Sequence, residues 1–350
     1  MEWANFSVEE NDDGRRVDSV LRRVSSGSLS GVYAAIRKGL IRLNQQKTTA
    51  RQRVTAGDTL SIASFLLNND SSRPTETNET TETADATDSA DCPVPILFEN
   101  QHILAVLKPP GMLVHDGIRS LEAQLRSYLR RHTTPSLSFR PGPLHRLDRN
   151  TSGILCFSKS LPGARWFSLA LQNNNIQKWY LAVAEGTLPT GYQAVWQDTL
   201  QRSNNTSRSA NEGQNAETRV RCLGSATDYQ SGQNYNLMGF QIITGRTHQI
   251  RAQAAHRGYP IVGDAKYGSG GRGHSMLLHA AAIHLPAWEH DTERTICAPL
   301  PRRWYKMLQL SITEPVSGLS IPAPRGTEQR CRWYELLTQT LTDTSAWQNL

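Results

Sequence analysis

The residues best suited to chemistry lie between Pro143 and Lys159. Asp148 stands between Arg146 and Arg149 in a polar, turn-rich segment, just before the apolar run Ile154, Leu155, Cys156 and Phe157. That run reads as a short buried strand, with Thr151-Ser-Gly153 as the turn into it. A carboxylate on a loop at the mouth of a core strand suits a reactive group held by a rigid scaffold. It offers two chemistries, attack as a nucleophile and removal of a proton. Taken alone, the segment reads more simply as a turn-capping aspartate flanked by solvated arginines. The rest of the chain reverses that preference.

The elements that must position Asp148 follow from patterning. With 350 residues the chain has room for two domains, one with a substantial core. In the first unit, residues 1–67, Val17, Val20, Leu21 and Val24 recur at helical spacing. Ser30 can cap a second helix with Val32 and Ile36 facing inward and Gly39 ending it. Strands are expected at Leu40–Asn44 and Thr59–Ala63. Residues 94–313 form the main unit. There, Ile103–Leu107 reads as a strand running into a rigid Lys108-Pro-Pro-Gly111 turn. Leu121, Leu125, Tyr128 and Leu129 mark a helix, and Trp166–Leu171 looks helical. Lys178–Gly186 and Phe240–Ile243 read as strands, and Thr244–His248 turns the latter into a helix ending near Gly258. Residues 201–217, rich in Ser and Asn, read as a polar loop. Single and paired strands with few helices predict an α+β fold with a mixed, mostly antiparallel sheet, beside a small α/β N-terminal domain.

Charge narrows the partner. The formal net charge is +7, from 38 basic and 31 acidic residues. Residues 68–93 hold seven acids against one base, Arg73, which leaves +13 for the rest. A surplus of that size points to a polyanion, nucleic acid before membrane. Between residues 15 and 53 there are ten Lys or Arg and one acid, Asp18. Such a patch is either a solvated face or an RNA-docking surface, and the scarcity of acids favours docking. The Thr-rich acidic stretch 68–93 is too poor in apolar residues to fold and reads as a flexible linker. Residues 314–350 read as a tail, with Trp333, Leu336, Leu337 and Leu341 marking one amphipathic helix.

No apolar run reaches membrane-spanning length, and the N-terminus lacks the basic and apolar regions of a secretory signal. The five cysteines are scattered without a CxxC pair, which argues against disulfides and zinc and fits a reducing, cytoplasmic setting. There is no P-loop or dinucleotide fingerprint. A zinc-dependent base deaminase would need a His-x-Glu and Cys-x-x-Cys pair, and neither occurs. We therefore expect no cofactor and no metal.

His145-Arg-Leu-Asp-x-x-Thr-Ser-Gly153 resembles the signature of the RluA-type pseudouridine synthases, in which the Asp is catalytic. Lys108-Pro-x-Gly111, Lys178-x-Tyr180 with Gly186, Thr244–Arg251 with Gly258–Asp264, and Leu278-His-Ala-Ala281 resemble further motifs of that family, in its order, from about residue 94 to 310. The first unit resembles the S4 RNA-binding domain through Ile36–Asn44 and Ala56–Ile62, with Gln45-Gln46-Lys47 where an Asn-Gly-x turn is usual. Together these imply a monomeric, cofactor-free isomerase that converts uridine to pseudouridine in RNA, with 23S-type large-subunit ribosomal RNA as the expected substrate. The alternatives are the same chemistry on transfer RNA, or a non-catalytic S4-type ribosome-assembly factor.

The chemistry breaks the N1–C1′ bond, turns the base, and joins C5 to C1′. A buried carboxylate needs a fixed cation beside it to stay charged. By resemblance that cation is Arg251, which stays charged and can grip a carboxylate with two prongs. Tyr180 offers a ring for stacking on the uracil, against the alternative of a core aromatic. Because a stacked base is out of reach, it must be extruded. Arg146 either fills the vacated stack or contacts phosphate. Lys108, Arg246 and His145 are expected near the RNA, with His145 kept out of the chemical step. Arg37, Lys38 and Arg42 are expected to contact RNA from the first unit. Asp264 reads as a turn residue.

Overall fold

A computed structural model describes residues 1–25, 28–67, 91–189, 191–203, 206–209, 212–227, 232–268, 275–301 and 304. Most of the expected linker, residues 68–90, and the expected tail helix at 314–350 lie outside the described residues.

The N-terminal unit is a four-stranded sheet carrying two helices. Its elements are β1 (Trp3–Ser7), α1 (Val17–Val24), α2 (Leu29–Arg37), β2 (Ile41–Leu43), β3 (Gln46–Lys47) and β4 (Thr59–Ala63), with sheet order β1-β4-β2-β3. Val17, Val20, Leu21 and Val24 are all buried, as their spacing requires. Each such side chain contributes about 1.5–3 kcal/mol of transfer free energy. The cap of α2 differs from expectation: Ser28, not Ser30, accepts the Gly31 N–H at 3.3 Å. The helix thus begins at Leu29, where a serine oxygen can reach an unpaired amide. The β2–β3 turn keeps its tight form without glycine. Asn44 (φ 50°) and Gln45 (φ 65°) both take left-handed conformations, as a two-residue hairpin demands. The Asn44 side chain accepts from Thr59 N at 2.9 Å and donates to Asp58 at 2.8 Å, which holds the turn in place.

The main unit is one ten-stranded sheet. Its elements are β5 (Ile96–Glu99), β6 (Ile103–Lys108), α3 (Leu121–Arg131), β7 (Ser152–Ser158), α4 (Leu161–Gln172), β8 (Gln177–Glu185), β9 (Gln193–Ser203), β10 (Thr206–Ser209), β11 (Gln214–Thr227), β12 (Asn234–Ile242), α5 (Gln249–His256), β13 (Leu278–Leu285) and β14 (Arg294–Cys297). The order is β10-β9-β11-β12-β8-β13-β7-β6-β5, with β14 on β13. Every pairing is antiparallel except β13 with β7. The fold is therefore α+β and mixed, mostly antiparallel, as the patterning predicted.

Two departures matter for the site. Ser152 and Gly153 already belong to β7 rather than to a turn. Gly153 (φ 116°) lies so close to β13 that a Cβ would stand 2.2 Å from the Ala280 carbonyl oxygen. Only glycine permits this parallel contact. Residues 201–217, expected to be a loop, lie mostly in the hairpins of β9, β10 and β11. Polar composition concealed strands whose inward positions, Ala216, Thr218 and Val220, are buried.

The two units are pinned together. Asp12 is fully buried and accepts from Ser136 Oγ, Leu137 N, Ser138 N and Ser138 Oγ at 2.5–3.0 Å. Asn11 donates to Thr134 O and accepts from Leu161 N, both at 3.0 Å. Leu137 of the main unit packs on the apolar core of the N-terminal unit.

Candidate active site

Asp148 sits in the loop that feeds β7, and two straps hold that loop. Thr151 N donates to the Asp148 carbonyl at 3.1 Å, closing the turn. Gly111 N donates to Arg149 O at 2.8 Å, and Arg149 Nε returns a bond to Gly111 O at 2.9 Å. Beneath them lies Lys108, with no exposed surface, donating to the carbonyls of Pro109, Met112 and Arg149 at 2.8–3.0 Å. Burial lowers its ammonium to about 8, against the pull of the Asp148 charge. The expectation that Lys108 contacts RNA is therefore corrected. Three converging carbonyls claim all its donors, and it serves as an internal tie.

The cation expected beside Asp148 is present. Arg251, on α5, donates from Nη1 to Asp148 Oδ2 at 2.8 Å. The rest of its guanidinium is held by Asp264, from Nε at 2.7 Å and Nη2 at 2.8 Å. Arg251 is thus clamped between two carboxylates from different segments. Burial would lower its guanidinium, but the hydrogen bonds it donates to Asp264 and Asp148 override that and raise it. Asp264 is 1% exposed, whereas the Asp148 side chain keeps 25% of its surface. The deeper carboxylate orients the arginine, and the shallower one faces the cleft. The sequence reading of Asp264 as a turn residue missed this. The one signal was an acid following an apolar Ile-Val pair that had to be buried.

Tyr267 lies over the same guanidinium, 5.1 Å from ring centroid to Cζ. His248 begins α5 in a left-handed conformation (φ 55°), with Nδ1 3.0 Å from the Tyr267 hydroxyl and Nε2 3.8 Å from Asp148 Oδ1. Burial lowers its imidazole, opposed by the Asp148 charge. A non-glycine residue at positive φ is uncommon, and this one stands beside Asp148 at the cleft. Glutamines fix α5 to the sheet. Gln249 donates to Glu217 O and Thr218 Oγ1, and Gln253 donates to Trp196 O and Asp198. The unexpected β9–β10 hairpin adds Ser207, which donates to the Thr247 carbonyl at 2.7 Å and to Tyr267 Oη at 2.7 Å.

These groups border a cleft of about 350 Å³, lined by Arg146, Asp148, Lys178, Tyr180, Arg246 and Arg251 among others. That volume is in the range of small-ligand sites. Tyr180 is buried on β8 but reaches the cleft. Burial, then the nearby Asp148 charge, raises its phenol. Arg146 and Arg246 are exposed at the rim. His145 is a second correction. Its Nε2 accepts from Cys156 N at 3.1 Å, its Nδ1 is buried, and its ring lies parallel to Phe167 at 6.0 Å. Burial, then the Lys178 charge, lowers it to about 3, so it is a neutral framework group rather than an RNA contact. Arg37, Lys38 and Arg42 are exposed on the N-terminal unit, Arg42 stacked over Trp3 at 4.5 Å. Among the described residues no His, Cys, Asp or Glu group is arranged to hold a metal ion, and no helix is long and apolar enough to cross a membrane.

The profile of the RNA pseudouridylate synthase family matches residues 102–256, which hold Asp148, Tyr180 and Arg251. Over that segment the chain is similar to the RNA pseudouridylate synthases. It is 29% identical over 314 residues to ribosomal large subunit pseudouridine synthase C of Vibrio vulnificus (strain CMCP6), covering 86% of this chain and 94% of that one. It is also 29% identical over 295 residues to the protein of the same name from Escherichia coli (strain K12), covering 79% and 86%. Among solved structures, human RNA pseudouridylate synthase domain containing 1 shares the fold with a TM-score of 0.53 at 20% identity, covering 73% of this chain and 98% of that one. The human domain containing 4 protein does so at 0.50 and 22%, covering 61% and 91%.

Proposed function

We propose that this chain converts uridines of large-subunit ribosomal RNA to pseudouridine, with Asp148 as the group that acts on the sugar. The observation that carries the assignment is the clamp. One carboxylate faces the cleft, held by an arginine that a second, buried carboxylate orients. Relatives over most of the chain's length carry the corresponding name.

The target nucleotide is turned out of its stack into the cleft, and the uracil lies on the Tyr180 ring. Arg146, exposed at the rim, fills the vacated stack or meets phosphate. Asp148 then either attacks C1′ or takes the C2′ proton, and both routes release the base with the N1–C1′ electron pair. The base turns, C5 joins C1′, and C5 loses its proton. Arg251 holds Asp148 in place throughout. The basic face of the N-terminal unit, with Arg37, Lys38 and Arg42, docks the RNA as an S4-like module.

The test is Asp148→Asn in the full chain. We expect RNA affinity to persist and pseudouridine, mapped by carbodiimide in ribosomal RNA, to vanish. Product at the wild-type level would overturn the assignment.

A further inference from the structure

Lys178 lines the cleft, and the reading above gives it no role. It lies two residues before Tyr180 on β8, so both side chains leave the same face of the strand. Both line the cleft. The ammonium has no hydrogen bond or ion pair among the described residues. The charge of Asp148 is already taken by Arg251, and Arg251 is held between Asp148 and Asp264. Lys178 Nζ stands 4.0 Å from where a Cβ on Gly245 would lie, so the missing side chain at Gly245 leaves the ammonium open to the cleft. A half-buried cation without a counter-ion is costly unless something anionic meets it in the working complex.

Two anions come with a flipped uridine: its phosphate and the base itself as it departs. Arg146 and Arg246 are exposed at the rim, where the phosphodiester must pass. Lys178 sits further in, beside the tyrosine expected to carry the uracil. We propose that Lys178 is a further catalytic residue, whose ammonium donates a hydrogen bond to a uracil carbonyl oxygen and stabilises the negative charge on the base while N1–C1′ is broken. This rests on the uridine-isomerisation reading above.

The electrons balance without a transfer through the lysine. The N1–C1′ pair passes to the base and spreads over N1 and the carbonyl oxygens. It then forms the C5–C1′ bond, C5 gives up its proton, and N1 gains one. Lys178 keeps its proton and acts only while the charge is present, so it stabilises the transition state more than the bound substrate. Being needed charged, it also gives the reaction an upper pH bound. Burial lowers Lys178 to about 8, opposed by Cys156. The groups facing it are His145, Arg146 and Asp148 from the loop before β7, Cys156 on β7, and Tyr180 on its own strand. Arg246, His248 and Arg251 face it from the segment after β12, and β13 opposes it with uncharged Ile283.

The experiment is single-turnover pseudouridine formation at saturating ribosomal RNA fragment, from pH 6 to 10, with wild type, Lys178→Met and Lys178→Arg in the full chain. For wild type we expect a rate that falls as pH rises through about 8. Lys178→Met keeps the stem and should lose roughly 100–1,000-fold in rate, with RNA affinity within about 3-fold. Lys178→Arg should recover most of the rate and lose the alkaline fall, since a guanidinium stays charged. A methionine variant within about 3-fold of wild type overturns the proposal. So does one that loses RNA affinity at an unchanged rate, because Lys178 would then be a phosphate contact. If the methionine variant does not fold, the arginine variant decides: a retained alkaline fall overturns the proposal. A wild type that makes no pseudouridine would instead sink the isomerisation reading itself, leaving the two failures distinct.

Discussion

The N-terminal unit and the cleft both gather positive charge, and they treat it in opposite ways. On the N-terminal unit Arg37, Lys38 and Arg42 are exposed, and among the described residues none is ion-paired with a carboxylate. Their fields add, and any one can be lost with the others remaining. In the cleft Arg251 is 8% exposed and gripped at Nε, Nη1 and Nη2 by two carboxylates. Three directed bonds fix its orientation, and no neighbouring cation shares them. Exposed charge thus serves long-range attraction, in which number counts. Buried charge serves orientation, in which identity counts.

This contrast orders the outcomes of substitution. The largest is expected at Arg251→Lys. Net charge is unchanged, yet a single ammonium cannot reproduce three directed bonds, so pseudouridine formation should fall at least about 100-fold at unchanged RNA affinity. Near-normal turnover would show that charge alone suffices in the cleft and erase the distinction. Asp264→Asn comes next. It leaves Arg251 without its buried partner and should cost about 3–5 kcal/mol of unfolding free energy, read by denaturant titration, together with much of the activity. Asp12→Ala strands donors from residues 136–138. About 2–3 kcal/mol is expected from the same titration, and faster proteolysis should appear at the junction of the two units. The smallest effects belong to the exposed set. Arg37→Ala, Lys38→Ala and Arg42→Ala should each weaken RNA binding modestly. Each should reduce the slope of log affinity against log salt by about 0.7–0.9, and the three effects should add. A single one of them abolishing activity would show that the basic face is not a summed field.

Much of this was legible in the chain. Apolar spacing placed α1 and α3, which each bury one face, and short continuous apolar runs placed β6, β7 and β8, which are buried on both faces. The Asp148 segment and the arginine of α5 were visible through motif and order. Hidden features were those that depend on direction or distance. Lys108 and Arg246 look alike as letters, but one ends among three carbonyls and the other at the rim. The ring of His145 turns inward to the β7 backbone, which no spacing reveals. Asp264 and Arg251 meet across the turn at Gly258, and a two-pronged pair leaves no trace in periodicity. The β9–β10 hairpin escaped because its Ser and Asn content resembles a loop, although Ser207 is buried and tied to the segment that begins α5.

The burial of Asp12 bears on how the molecule can be dissected. A fragment beginning after residue 67 would present bare amides at Leu137 and Ser138, two unquenched hydroxyls and an uncovered leucine to water. Such a truncation would alter the rim of the larger half as well as discarding the smaller. Poor behaviour of the excised half would therefore say little about what the missing half contributes to substrate choice. Point changes on the basic face of an intact chain are the cleaner dissection.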